Sequence, residues 1–262
     1  MNAPQYALGA WLCMTAACSC GVEPSDPAPS IVRLDLRLQF SCAVWSDGAA
    51  MCWGRGGALG YGKDEGLGND EPADAWGLIP AGGDVIGAAP AVNANCLAYS
   101  DGTVRCWGAA GTGTIGSGSN VDTFVLPEQR PPVSIGGPVI DLFGWSGRVC
   151  ALLESKDLQC WGFNEGGGLG YGHTNNIGDD ELPSEVGPVL VGAKVEQLAM
   201  GSNHSCALLE GGTVKCWGHA QVGQLGRGSE ENIGDDEYRA HRPRPVARRP
   251  ARRGHPTHLR AS

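Results

Sequence analysis

The chain has 262 residues, enough for one or two domains or a single array of repeats. Its formal charge of -9 is uneven: residues 1–238 hold all 28 acidic residues beside 11 Lys or Arg, and residues 239–262 hold eight Arg and no acid. An acidic body argues against binding nucleic acid through its phosphates, and 42 glycines with no long helical pattern argue against a helical bundle.

The first element is an uncharged, mostly apolar run at residues 6–20 (YALGAWLCMTAACSC), too short for a comfortable membrane span. Prolines and acids follow at once (GVEPSDPAPS), so residues 1–30 have the outline of a secretory signal and a flexible linker. Thr15-Ala16-Ala17-Cys18 resembles a bacterial lipoprotein cleavage box with Cys18 as the acylated residue. It departs from that pattern in two places: Thr15 stands where Leu is usual, and no Lys or Arg precedes Arg33. The expectation is an extracellular or cell-surface protein, with membrane attachment through Cys18 requiring full lipoprotein modification, because one acyl chain holds weakly.

From residue 31 to 238 one phrase recurs four times: a cysteine, nine residues, a second cysteine, then Trp-Gly. The copies span 42–54 (CAVWSDGAAMCWG), 96–108 (CLAYSDGTVRCWG), 150–162 (CALLESKDLQCWG) and 206–218 (CALLEGGTVKCWG). A fixed period of this length is the mark of a repeat architecture. In the second copy Ser-Asp-Gly lies between two alternating apolar runs, which predicts a β-hairpin. A three-residue loop centred on Asp101 pairs Ala98 with Val104 and sets Cys96 opposite Cys106. Directly opposed Cβ atoms come within about 4.5–5.5 Å, near the spacing of a disulfide.

The spacing therefore predicts bridges Cys42–Cys52, Cys96–Cys106, Cys150–Cys160 and Cys206–Cys216, hence an oxidising compartment. The blander reading is a set of small buried core cysteines. Structural zinc is disfavoured, since the short Cys-x-x-Cys knuckles and paired histidines are missing. The third copy lacks the turn glycine (Glu154-Ser155-Lys156-Asp157), so a different loop is expected there.

Trp53, Trp107, Trp161 and Trp217 close the hairpins and supply large apolar surfaces able to seal one unit against the next. A glycine-rich phrase follows each (54–62, 108–118, 162–172, 218–228). An apolar strand such as Val195–Met200 precedes each hairpin, giving three to four short strands per unit, the content of a propeller blade.

These phrases resemble the repeats of the regulator of chromosome condensation family. The fourth unit carries the likeness best, with His204-Ser205-Cys206-Ala207-Leu208 and Trp217-Gly218 followed by Gly223-Gln224-Leu225-Gly226. The third follows with Trp161-Gly162-Phe163-Asn164 and Gly168-Leu169-Gly170. The cysteine pairs depart from the family pattern and look like an exported bacterial variant of it. The resemblance implies an all-β, seven-bladed β-propeller. This chain offers four hairpin cores, and at about 51° per blade four cover little more than half a circle, so an open or incomplete propeller is expected. The resemblance also implies protein binding. Some members exchange nucleotides on small GTPases or bind chromatin, activities of a reducing cell interior that the cysteine pairs argue against here.

The third unit continues Asn176-Ile177-Gly178-Asp179-Asp180-Glu181, and the fourth Asn232-Ile233-Gly234-Asp235-Asp236-Glu237. Their carboxylates offer oxygen ligands for calcium. The spacing is not that of an EF-hand, and a solvated inter-strand loop is the preferred reading. After Tyr238 the similarity stops, and residues 239–262 are rich in Arg, Pro, Ala and His. The leading expectation is an off-frame continuation of a gene that encoded further blades, ahead of a disordered tail or a basic arm for anionic partners.

No catalytic set emerges. Gly57–Lys63 nearly matches a phosphate-binding loop, but Asp64 follows where Ser or Thr is required and no helix pattern succeeds it. Neither a Gly-x-Ser-x-Gly elbow nor a cofactor motif is present. The sequence thus reads as an exported, non-enzymatic protein-binding or scaffold module without a cofactor. The alternatives are a secreted enzyme inhibitor, a carbohydrate-binding propeller and a truncated gene product without independent function.

Overall fold

The computed structural model describes residues 28–36 and 39–236, which form four three-stranded antiparallel sheets. Blade 1 comprises β1 (Ile31–Leu36), β2 (Phe40–Trp45) and β3 (Ala50–Gly54). Blade 2 comprises β4 (Val85–Ala91), β5 (Ala94–Tyr99) and β6 (Val104–Gly108). Blade 3 comprises β7 (Val139–Trp145), β8 (Arg148–Leu153) and β9 (Leu158–Gly162). Blade 4 comprises β10 (Val195–Met200), β11 (His204–Leu209) and β12 (Thr213–Gly218). In each sheet the strands lie in chain order, so each blade is a meander. The leader, Cys18, Glu237 and the basic tail fall outside the described residues.

The hairpin register follows the cysteines. Cys42 faces Cys52, Cys96 faces Cys106, Cys150 faces Cys160 and Cys206 faces Cys216. All four pairs are disulfide-bonded with Cα atoms 4.0–4.1 Å apart, the close approach of a non-hydrogen-bonded antiparallel pair. Each bridge closes a loop of sequence separation 10 and contributes about 2–3 kcal/mol through the unfolded state. The third hairpin does not use a different loop. It keeps the common register because Lys156 takes the left-handed conformation (φ 64°) that Gly48, Gly102 and Gly212 adopt in the other turns (φ 82°, 81° and 77°).

Glycine after each tryptophan has a steric cause. Gly54, Gly108, Gly162 and Gly218 have φ between 102° and 120°. A Cβ on any of them would lie 2.2–2.4 Å from a carbonyl oxygen (Gln39, Asn93, Gly147 or Asn203) of the loop leading into the facing strand. The same glycines form isolated bridges to Leu67, Thr123, Ile177 and Ile233, the reduced fourth strand of each blade.

The first strands of the blades line up along the inside of the curve: β4 packs against both β1 and β7, and β7 against β10. Each first strand carries a bulge at the same place, after Ile31, Val85, Val139 and Val195, which sharpens its twist. Gly144 of β7 lies so close to Ala89 of β4 that a Cβ would be 2.9 Å from its carbonyl oxygen. The described residues are therefore four blades of an open propeller, with the core distributed in the seams between blades.

Candidate binding surface

The seams explain most of the repeated residues. The Trp107 indole nitrogen donates to Ala58 O (3.0 Å), Trp161 to Thr114 O (3.0 Å) and Trp217 to Gly168 O (3.1 Å), each reaching into the glycine-rich loop of the preceding blade. All three rings are fully buried. They rest on Gly60, Gly116 and Gly170, where a Cβ would come within 2.8–3.1 Å of the ring. Trp53, in blade 1, is half-buried. Asn95 closes the same seam from the other side, its amide donating to both sulfurs of Cys42–Cys52 at 3.4 Å.

The paired Asn-Ile-Gly-Asp-Asp-Glu phrases are more structural than a solvated loop. Ile177 and Ile233 are fully buried as the fourth-strand bridges. Asn176 Oδ1 accepts from Asn164 N (3.0 Å) and Asn232 Oδ1 from Ala220 N (3.1 Å), pinning each glycine-rich loop; Asp122 does the same for Ala110. Gly178 O and Gly234 O accept from Gly118 N and Gly172 N of the preceding blade. Only beyond these do the carboxylates gather: ligand atoms of Asp179, Asp180 and Glu181 lie within 4.8 Å of one another. Burial, with the hydrogen bond and charge of Asp180, pushes the Glu181 carboxyl up to about 7. Asp235 and Asp236 hold the matching places in blade 4.

Two charged features had no signal in the sequence. Arg33 of β1 donates to Asp35, to Leu142 O (2.8 Å) and to Asp141 of β7, tying blade 1 to blade 3 along the inner curve. Arg148 is fully buried at the seam of blades 3 and 4, donating to Gly201 O and Ser202 O, and burial draws its guanidinium down to about 10. At the equivalent place His204 begins β11, with its imidazole held below the ordinary value by burial and then by the Arg148 charge. Phe40, Ala94, Arg148 and His204 share this strand-start position, so one-dimensional similarity does not foretell a charge there.

The hairpin turns all point to one face. The left-handed turn residue accepts a backbone bond from the start of the next blade's first strand: Val85 N to Gly48 O, Val139 N to Gly102 O and Val195 N to Lys156 O, all 2.9 Å. Clefts open beside these junctions. One of 610 Å³ is lined by Trp45, Asp47, Asp84, Ile86 and Ser100. A second of 260 Å³ includes Asp101, and a third of 280 Å³ includes Asp157 and Lys194. Thr103 donates from its hydroxyl (2.7 Å) and amide (2.9 Å) to Asp101, and Lys194 donates to Asp157 (2.8 Å), so both carboxyls are held below their ordinary values and stay charged. The result is a face with a recurrent carboxylate at each junction, suited to basic or hydrogen-bonding surfaces. The four disulfides point to an oxidising environment.

Comparison with known proteins matches this geometry. Two profiles described as the Regulator of chromosome condensation (RCC1) repeat match residues 158–208 and 195–224. The ultraviolet-B receptor UVR8 of Arabidopsis thaliana is 27% identical over 211 residues, covering 79% of this chain and 45% of that protein. The E3 ubiquitin-protein ligase HERC2 of Homo sapiens is 31% identical over 200 residues, covering 72% of this chain and 4% of that protein. The chain thus spans less than half the length of these relatives. Among solved structures, human WBSCR16 superposes with a TM-score of 0.64 at 19% identity, over 83% of this chain and 54% of that one. A structure of Kap60 bound to yeast RCC1 (Prp20) gives 0.64 at 18% identity, over 86% and 51%. With its four Trp-Gly hairpins stacked as propeller blades, the chain belongs to the regulator of chromosome condensation repeat family.

Proposed function

We propose that this chain is an exported, non-enzymatic scaffold that binds a protein partner through its hairpin-turn face. The observation that carries the reading is the junction-by-junction recurrence of carboxylates beside clefts on that face, at Asp47, Asp84, Asp101 and Asp157. A basic protein surface is the matching chemistry. The RCC1 neighbour bound by Kap60 supports protein binding as a use of this fold. Export rests on the four bridges, and the leader with Cys18 extends the proposal to membrane attachment.

A second reading draws on the 610 Å³ cleft, where Trp45 stands beside Asp47, Asp84, Ser46 and Ser100. An aromatic ring among hydroxyl and carboxylate groups is suited to a sugar. Affinity capture from the host's extracellular fraction, using the wild type and an Asp47→Asn/Asp84→Asn/Asp101→Asn/Asp157→Asn variant, tests the first reading. A basic partner retained by the wild type, released by salt and lost by the variant supports it. A partner held equally by both proteins refutes the face assignment. Binding on a glycan array, abolished by Trp45→Ala, would establish the second reading instead.

A further inference from the structure

The three seams among the described residues share one lock: an indole donates to a carbonyl within the preceding blade's Gly-rich phrase and rests on a left-handed glycine two residues later. Both halves of the lock also stand at the outer ends of the described array. At one end, Trp53 is half-buried, with no carbonyl partner among the described residues. On the other edge of the same sheet β1 exposes Ile31, Val32 and Leu34 at 52–62%. Exposed large apolar side chains clustered on one strand mark a surface that takes a partner.

At the other end, blade 4 repeats the receiving loop. Gln224, Leu225 and Gly226 occupy the places of Gly168, Leu169 and Gly170. Leu225 is buried, and Gly226 holds the same left-handed conformation (φ 68°) as Gly60, Gly116 and Gly170. The three seam indoles rest elsewhere, on Gly60, Gly116 and Gly170. In the same blade Val222 of this loop and Val214 of β12 are exposed, at 86% and 41%.

We infer that blade 1 of one copy docks on blade 4 of a second copy, Trp53 seating on Gly226 and donating to the Gln224 carbonyl. The interface continues the internal seam from one molecule to the next, so the occupant is specified by chemistry that the chain already uses three times. Such an interface is head-to-tail. It closes a ring if the rotation allows and otherwise builds a row. This inference does not depend on the identity of the partner at the turn face or on export.

The test is sedimentation velocity of the full chain from low micromolar to hundred-micromolar concentration. The expected result is a mass that rises with concentration above the 27.2 kDa of one chain. Trp53→Ala removes one half of the lock and Gly226→Asn fills the other; Asn tolerates the left-handed conformation. Each variant alone stays a single chain with a wild-type circular dichroism spectrum. Mixed one to one they recover a two-chain species, because Trp53 of one and Gly226 of the other remain intact. If one variant misfolds, the other alone still discriminates. The inference is overturned if the wild type stays a single chain throughout, if both variants associate like the wild type, or if association is gained only when residues 239–262 are removed, which would make this chain's own tail the occupant.

Discussion

Replacing Trp161 with Phe isolates the contribution of one seam. The indole is fully buried and donates to Thr114 O at 3.0 Å. Phe removes about 40 Å³ of buried volume, which costs about 1 kcal/mol at ~24 cal/mol per Å³ of cavity. It also leaves the Thr114 carbonyl buried without its donor, at about 1–3 kcal/mol. The sum is a loss of about 2–4 kcal/mol. The identical change at Trp53, half-buried and without that carbonyl, costs under about 1 kcal/mol. Urea unfolding without reductant, followed by far-ultraviolet circular dichroism, reads both variants against the wild type. Neighbouring blades are coupled pairwise in such arrays, so amide hydrogen exchange should also show faster opening on both sides of the seam between blades 2 and 3. Equal losses at the two positions, or a loss below about 1 kcal/mol at Trp161, would refute the indole lock.

Lys156 takes the left-handed place that glycine fills at Gly48, Gly102 and Gly212 in the other three cysteine-bridged hairpins. The left-handed conformation costs a side chain about 1–2 kcal/mol, and glycine gives back up to about 1 kcal/mol through the unfolded chain. Lys156→Gly is therefore expected to leave stability unchanged or raise it by up to about 1.5 kcal/mol in urea unfolding; a clear loss would show that the Lys side chain holds the turn. Glu181, with its carboxyl pushed up to about 7 from an ordinary 4.5, binds its proton more tightly folded than unfolded. Its penalty is absent at low pH, grows as pH rises from 4.5 towards 7 and is complete above that. Glu181→Gln should thus gain stability relative to the wild type at about pH 8 and show no gain at about pH 4; a pH-independent difference would contradict that origin.

Much of this architecture is written locally. A cysteine pair with nine intervening residues dictates which hairpin residues face each other, and a Trp-Gly step carries both the buried ring and the steric need for glycine. Those features involve residues within one period of about 54. The curvature is another matter. Arg33 and Asp141 are 108 residues apart and meet only because three inner strands run side by side. Arg148 and His204 take a position that Phe40 and Ala94 also take, so residue type gives no warning of the buried cation. The absence of a turn glycine in the third copy predicts a different loop, yet the strand pairing and the bridge on either side hold Lys156 in the common register. The acidic phrases read as ligands or solvent-facing loop because their charges dominate in one dimension. Folded, it is Asn176 and Ile177 that fasten the blade.

Peptide mapping of the native protein, digested without reduction and with free thiols blocked beforehand, bears most directly on the stapled-blade architecture. The hairpins should yield four linked pairs, Cys42 with Cys52, Cys96 with Cys106, Cys150 with Cys160 and Cys206 with Cys216. Alkylated thiols at those positions, or sulfurs joined between different hairpins, would contradict both the register of the blades and the oxidising environment inferred from it.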